Sequence, residues 1–103
     1  MADVLGILVS SDENLDHLIN TTRSARAAGK EVIIFFTHRG VLLTQDPRFS
    51  ELDGLASMSL CRENLAFHGL EDLPSFPGID RGGLANQSRH ADLIFDCDRY
   101  LVL

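Results

Sequence analysis

Apolar runs of strand length alternate along the chain with segments whose apolar residues recur at helical spacing, the pattern of βαβ units around a mostly parallel sheet. Val4 to Val9 is the first such run. In the next segment Leu15, Leu18, Ile19 and Thr22 fall on one helical face, with Ser11 or Asp12 as a cap and Gly29 as a stop, which predicts a helix of about four turns. Val32-Ile33-Ile34-Phe35-Phe36 is continuously apolar and rich in β-branched and aromatic residues, as expected of a central strand covered on both faces. Beyond His38-Arg39-Gly40 a short helix is predicted from Val41-Leu42-Leu43. A second starts at Asp46-Pro47, a cap followed by a proline, carries Phe49 and Leu52 inward, and ends at Gly54.

The third strand alternates, with Ala56, Met58 and Leu60 on one side and Ser57, Ser59 and Cys61 on the other. A short helix follows, carrying Leu65, Ala66 and Phe67, and stops at Gly69. The stretch Glu71 to Pro77 holds two prolines and is predicted to be a loop. A brief strand near Ile79, a helix from Gly82 or Gly83 to about His90, and a closing strand from Leu93-Ile94-Phe95 complete the expected order. The last residues, Arg99-Tyr100-Leu101-Val102-Leu103, are extended in character and apolar; they are expected to pair with a sheet edge or a neighbouring subunit, which suggests an oligomer. The expected fold is a three-layer α/β/α sandwich with a mostly parallel sheet of about five strands, flavodoxin-like in architecture, over residues 1–103 as one domain.

Composition narrows the function classes. Apolar residues make up 45 % and charged residues 23 % of the 103 positions, as in an ordinary globular protein. The formal net charge of −6 and the absence of any Lys/Arg cluster argue against nucleic acid as a partner. The opening apolar run is too short for a signal segment or membrane span, so a cytoplasmic location is expected, and the two cysteines are read as thiols rather than a bridge. Dinucleotide, P-loop and zinc-protease signatures are missing, and no cofactor or metal is implied.

In a parallel α/β sheet chemistry gathers at the carboxyl ends of the strands. Those ends offer Ser10-Ser11, His38-Arg39-Gly40, Cys61-Arg62 and Asp80-Arg81-Gly82-Gly83. Cys61 lies at the predicted joint between a strand and a helix. There the unpaired N–H groups of the first helical turn and the neighbouring Arg62 stabilise a thiolate over a thiol, and partial exposure is expected. A small buried hydrophobe is the competing reading of the same residue.

From the capped helix ending in Gly29-Lys30, through Glu31-Val32-Ile33-Ile34-Phe35-Phe36-Thr37 and Gly40-Val41-Leu42-Leu43, the chain resembles the DsrE/DsrF/TusD-like sulfur-relay family. The resemblance continues through Ser59-Leu60-Cys61-Arg62-Glu63-Asn64-Leu65-Ala66-Phe67-His68-Gly69-Leu70, Gly78-Ile79, Gly82-Gly83-Leu84 and Ala91-Asp92-Leu93-Ile94-Phe95. It implies a persulfide carried on Cys61 and passed between relay proteins, with sulfur donor or acceptor proteins as partners and assembly into homo- or hetero-oligomers.

The remaining candidates have two readings each. His38 is a proton partner for Cys61 or a surface residue opening a loop. Ser10 and Ser11 bind a ligand or cap a helix, and Arg39, Arg62 and Arg81 hold an anion or an acidic partner surface or only solubilise. Cys97 stands between Asp96 and Asp98, charges of the wrong sign for a thiolate, and is read as packing or interface. His17, His68 and His90 are read as helix residues outside the site. Two functions stand foremost: a sulfur carrier or transferase acting through Cys61, and a binding or assembly subunit of the same fold without sulfur transfer; binding of a small anion or nucleotide at the strand ends is the third.

Overall fold

The structure, a computed structural model, describes residues 3–70 and 98–103 and the backbone of residues 84–85. Strand β1 (Val4–Val9) is followed by helix α1 (Leu15–Ala27) and strand β2 (Glu31–Phe36). Two 3-10 helices, His38–Gln45 and Pro47–Leu52, lead to β3 (Ser57–Cys61), helix α2 (Arg62–Phe67), β4 (Leu84–Ala85) and β5 (Arg99–Val102). The sheet order is β4-β3-β2-β1-β5, and every paired strand is parallel. This is an α/β domain consistent with a generic three-layer α/β/α arrangement.

β2 is the middle strand, and its unbroken apolar sequence has the predicted cause. Val32, Ile34 and Phe36 join the main core with Ile7, Val9, Met58 and Leu60, while Phe35 joins Cys61 in a second cluster with Leu8 and Ile33 against it. The strict alternation of these two sets along β1, β2 and β3 shows a sheet buried on both faces. α1 and both 3-10 helices cover the main-core face, as right-handed crossovers between successive parallel strands require. Leu15, Leu18, Ile19, Thr22 and Ala25 form the buried side of α1. Phe49 from the second 3-10 helix meets Phe36 at a ring-centroid distance of 5.4 Å and an angle of 59°, a tilted pair that adds about 1 kcal/mol to the area it buries.

Helices α1 and α2 end in the same way. The Gly29 N–H donates to Arg26 and the Lys30 N–H to Ala25 after α1, and the Gly69 N–H donates to Ala66 and the Leu70 N–H to Leu65 after α2. Gly29 and Gly69 have φ of 80° and 73°, the left-handed step that this paired closure needs.

Three expectations change. The cap of α1 is Asn14, not Ser11 or Asp12; its carbonyl accepts from Leu18 while its side chain donates to Ser11 Oγ at 3.2 Å. Leu84–Ala85, expected inside a helix beginning at Gly82 or Gly83, instead form β4 beside Leu60 and Cys61, because the backbone groups along the edge of β3 are satisfied by strand pairing. On α2 only Leu65 is buried, and Phe67 is 82 % exposed. The C-terminal segment, by contrast, pairs with a sheet edge, one of the two outcomes expected for it: β5 lies along β1, with Asp98 N–H donating to Val4 O at 2.8 Å and Leu103 N–H to Leu8 O at 2.7 Å. The expected loop before Pro77, the strand near Ile79, the remainder of the helix to His90 and the strand from Leu93 lie outside the described residues. No helix among the described residues is long and apolar enough to cross a membrane.

Candidate functional site

Parallel pairing brings the ends of β1, β2 and β3 to one rim. Val9 aligns with Phe36 and Phe36 with Leu60, so Ser10, Thr37 and Cys61 each follow at the same level. Gly40 is what lets the rim close. Its N–H donates to Thr37 O at 2.8 Å, and a Cβ added there would lie 2.1 Å from Val9 O. A side chain of any size is excluded by backbone.

Cys61 occupies the expected joint, as the last residue of β3 and the N-cap of α2 with extended φ and ψ of −74° and 115°. Its surroundings differ from expectation. The strand-to-helix joint predicts partial exposure, and the alternation of β3 puts the thiol on the side of Ser57 and Ser59, yet Cys61 is 0 % exposed and packs with Phe35, against which Leu8 and Ile33 also lie. Ser57, at the start of β3, is exposed, but Ser59 is only 5 % exposed: toward the end of the strand the face it shares with Cys61 is a second buried face rather than a wet one. Arg62, the next residue, is exposed.

The rim is organised by a residue that sequence reasoning passed over. Asn64 Oδ1 accepts from Thr37 Oγ1 and from the His38 N–H, both at 2.8 Å, and so ties the end of β2 to α2. His38 has φ of 50°, a left-handed backbone that costs a residue with a Cβ about 1–2 kcal/mol and persists here under that double hydrogen bond. No local signal marks Asn64 for this role, since its partners are 26 and 27 residues away.

Arg39 is exposed and directed at Asp12 rather than at Cys61. Its Nε and Nη2 donate to the two carboxylate oxygens at 3.2 and 2.9 Å, a fork-to-carboxylate pair. That hydrogen-bonded guanidinium holds the Asp12 carboxyl below its ordinary value, with a smaller contribution in the same direction from His68, and the carboxylate in turn raises Arg39. His68 closes α2 with its ring edge-on to Phe67 at 5.1 Å. Ser10 and Ser11 are half-buried, and Ser11 Oγ donates to Leu103 O at 3.1 Å, which joins the end of β1 to that of β5. His17 is exposed on α1. Arg81, Gly82-Gly83, His90 and Cys97 lie outside the described residues.

Two cavities bounded by described residues lie away from this rim. One, of about 530 Å³, runs along α1 beside Val4, Leu5 and Arg99; the other, of about 400 Å³, lies between the beginnings of β2 and β3. Among the described residues no group of three or more His, Cys, Asp or Glu side chains is placed to hold a metal ion. The rim thus gathers one buried thiol, a carboxamide clamp and an ion pair at the carboxyl ends of parallel strands. The chain matches no family model, no curated protein and no solved structure.

Proposed function

We propose that the protein is a sulfur carrier, with Cys61 accepting a sulfane sulfur as a persulfide and passing it to the thiol of a partner, as the resemblance to the DsrE-like sulfur-relay family implies. The observation that carries this reading is the position of Cys61 as the N-cap of α2 at the carboxyl end of β3, beside the clamped turn at Thr37–His38. A sulfane sulfur arrives and leaves by thiolate attack, so the reading needs a sulfur that a partner can reach. Because Cys61 is 0 % exposed, loading requires a local opening at the rim. The assignment to a DsrE-like, flavodoxin-like sandwich over the whole chain, a cytoplasmic location and assembly into oligomers belong to the same proposal. The exposed edge strand β5, with Val102 58 % exposed, supports the last of these.

A second reading is favoured by the burial itself. Here the domain is a binding or assembly subunit without sulfur transfer, and Cys61 packs against Phe35 as a small apolar residue. The two readings part in the rate at which iodoacetamide modifies Cys61 in the native protein, followed by peptide mass. A thiol reached only by global unfolding is protected by about ten-thousandfold or more relative to the unfolded chain. A carrier's thiol, exposed by local opening, is expected to be protected by less than about a hundredfold. Protection at the global limit would leave only the assembly reading.

A further inference from the structure

Among the described residues two buried side-chain oxygens have no hydrogen-bond partner, Thr22 Oγ1 and Ser59 Oγ. Thr22 faces the main core from α1, where it is surrounded by apolar side chains. Ser59 stands elsewhere: it is 5 % exposed, lies two residues before Cys61 on β3, and therefore points to the same face of the sheet as the thiol. A strand that only packs has no need of a hydroxyl there, since alanine would fill the position without an unpaired donor. We infer that Ser59 is the positioning residue for the carried sulfur, its hydroxyl donating to the outer sulfur of a persulfide on Cys61. This rests on the carrier reading above and extends it by naming the group that holds the cargo.

The geometry suits the role. Residues two apart on a strand are separated by about 6.6 Å, too far for a direct bond between the Ser59 hydroxyl and the Cys61 sulfur. A second sulfur, bonded about 2 Å from the first and lying back along β3, closes most of that gap. In loading, the Cys61 thiolate attacks the outer sulfur of a donor persulfide, R–S–SH. One S–S bond forms and one breaks, the donor leaves as R–S⁻ and takes up the proton that Cys61 gave, and the outer sulfur keeps its hydrogen or loses it to water. Cys61 is oxidised to the persulfide level as the donor is reduced to a thiol. A terminal sulfur that becomes anionic is the acceptor for which an unpaired hydroxyl is matched.

The test loads the wild-type chain, Ser59→Ala and Ser59→Thr with glutathione persulfide, removes the donor, and follows the added mass on Cys61 by peptide mass spectrometry under a fixed concentration of an accepting thiol. The expected result is that Ser59→Ala loses the sulfur about tenfold faster than the wild type and Ser59→Thr, which keeps the hydroxyl, retains it. The melting temperature of unloaded Ser59→Ala is expected to be equal to or above that of the wild type, which separates positioning from a fold defect. Equal lifetimes in wild type and Ser59→Ala overturn the assignment of Ser59 while leaving the carrier reading intact. Failure of the wild type to take up sulfur at all overturns both.

Discussion

Replacing Gly40 by alanine tests how the rim around Cys61 is built. The new Cβ would stand 2.1 Å from Val9 O and 2.8 Å from Val9 C, backbone atoms that no rotamer change can move. The turn after β2 must then retreat from β1 by about 1 Å, a shift comparable with overpacking costs of about 1–3 kcal/mol. Val9 O is also the acceptor for the Thr37 N–H at 2.9 Å, so the same movement weakens a bond worth about 1 kcal/mol. Against this, alanine restricts the unfolded chain and returns about 0.5–1 kcal/mol. The net expectation is a loss of about 2–3 kcal/mol, or a fall in melting temperature of about 10 °C or more. The sequence has no tryptophan, so urea and thermal unfolding are best followed by far-ultraviolet circular dichroism. Gly54→Ala is the control: nothing lies within 4 Å of its added Cβ, and only the φ of 81° opposes it, at about 1 kcal/mol. A Gly40→Ala protein as stable as Gly54→Ala would refute the close approach of β1 and the turn.

Two further outcomes follow from the same rim. Asn64→Ala removes the acceptor shared by Thr37 and His38 and is expected to cost about 1–2 kcal/mol in urea unfolding, whereas Asn64→Asp, which keeps an oxygen there, should recover most of that loss; equal effects of the two would mean that the clamp contributes nothing. For Asp12, the folded carboxyl is held below its ordinary value, chiefly by the hydrogen bond from Arg39, so the pair's contribution is present above the ordinary carboxylate range and fades as the pH falls through the folded value. The stability difference between wild type and Asp12→Asn is therefore expected in full at pH 7 and should shrink as the pH falls below the ordinary carboxylate range; a gap that stays constant into acid would contradict the assignment.

Much of the frame was legible because it depends on local periodicity. The six residues of β1, the buried face of α1 and the doubly covered β2 follow from apolar spacing alone, and Asp46-Pro47 announced the second 3-10 helix, where the Asp46 side chain accepts from Arg48 N–H. What depends on distant partners was not legible. Ser11, Asp12 and Asn14 offer several caps to one helix, and the choice of Asn14 is tied to Ser11 being held by Leu103, 92 positions along the chain. The pairing of Leu84–Ala85 with β3 likewise replaces a local helical preference by a tertiary one. For Cys61 its place in the chain was readable and its environment was not. The alternation of β3 put the thiol on the side of two serines, and only its packing with Phe35, Leu8 and Ile33 shows that this end of the face is core.

The central claim, that Cys61 carries sulfur, is tested most directly by weighing the intact protein after exposure to glutathione persulfide and removal of the donor. The wild type is expected to gain about 32 Da, the mass of one sulfur, and Cys61→Ser to gain nothing although Cys97 is still present. An unchanged mass in the wild type, or the same gain in Cys61→Ser, would contradict it.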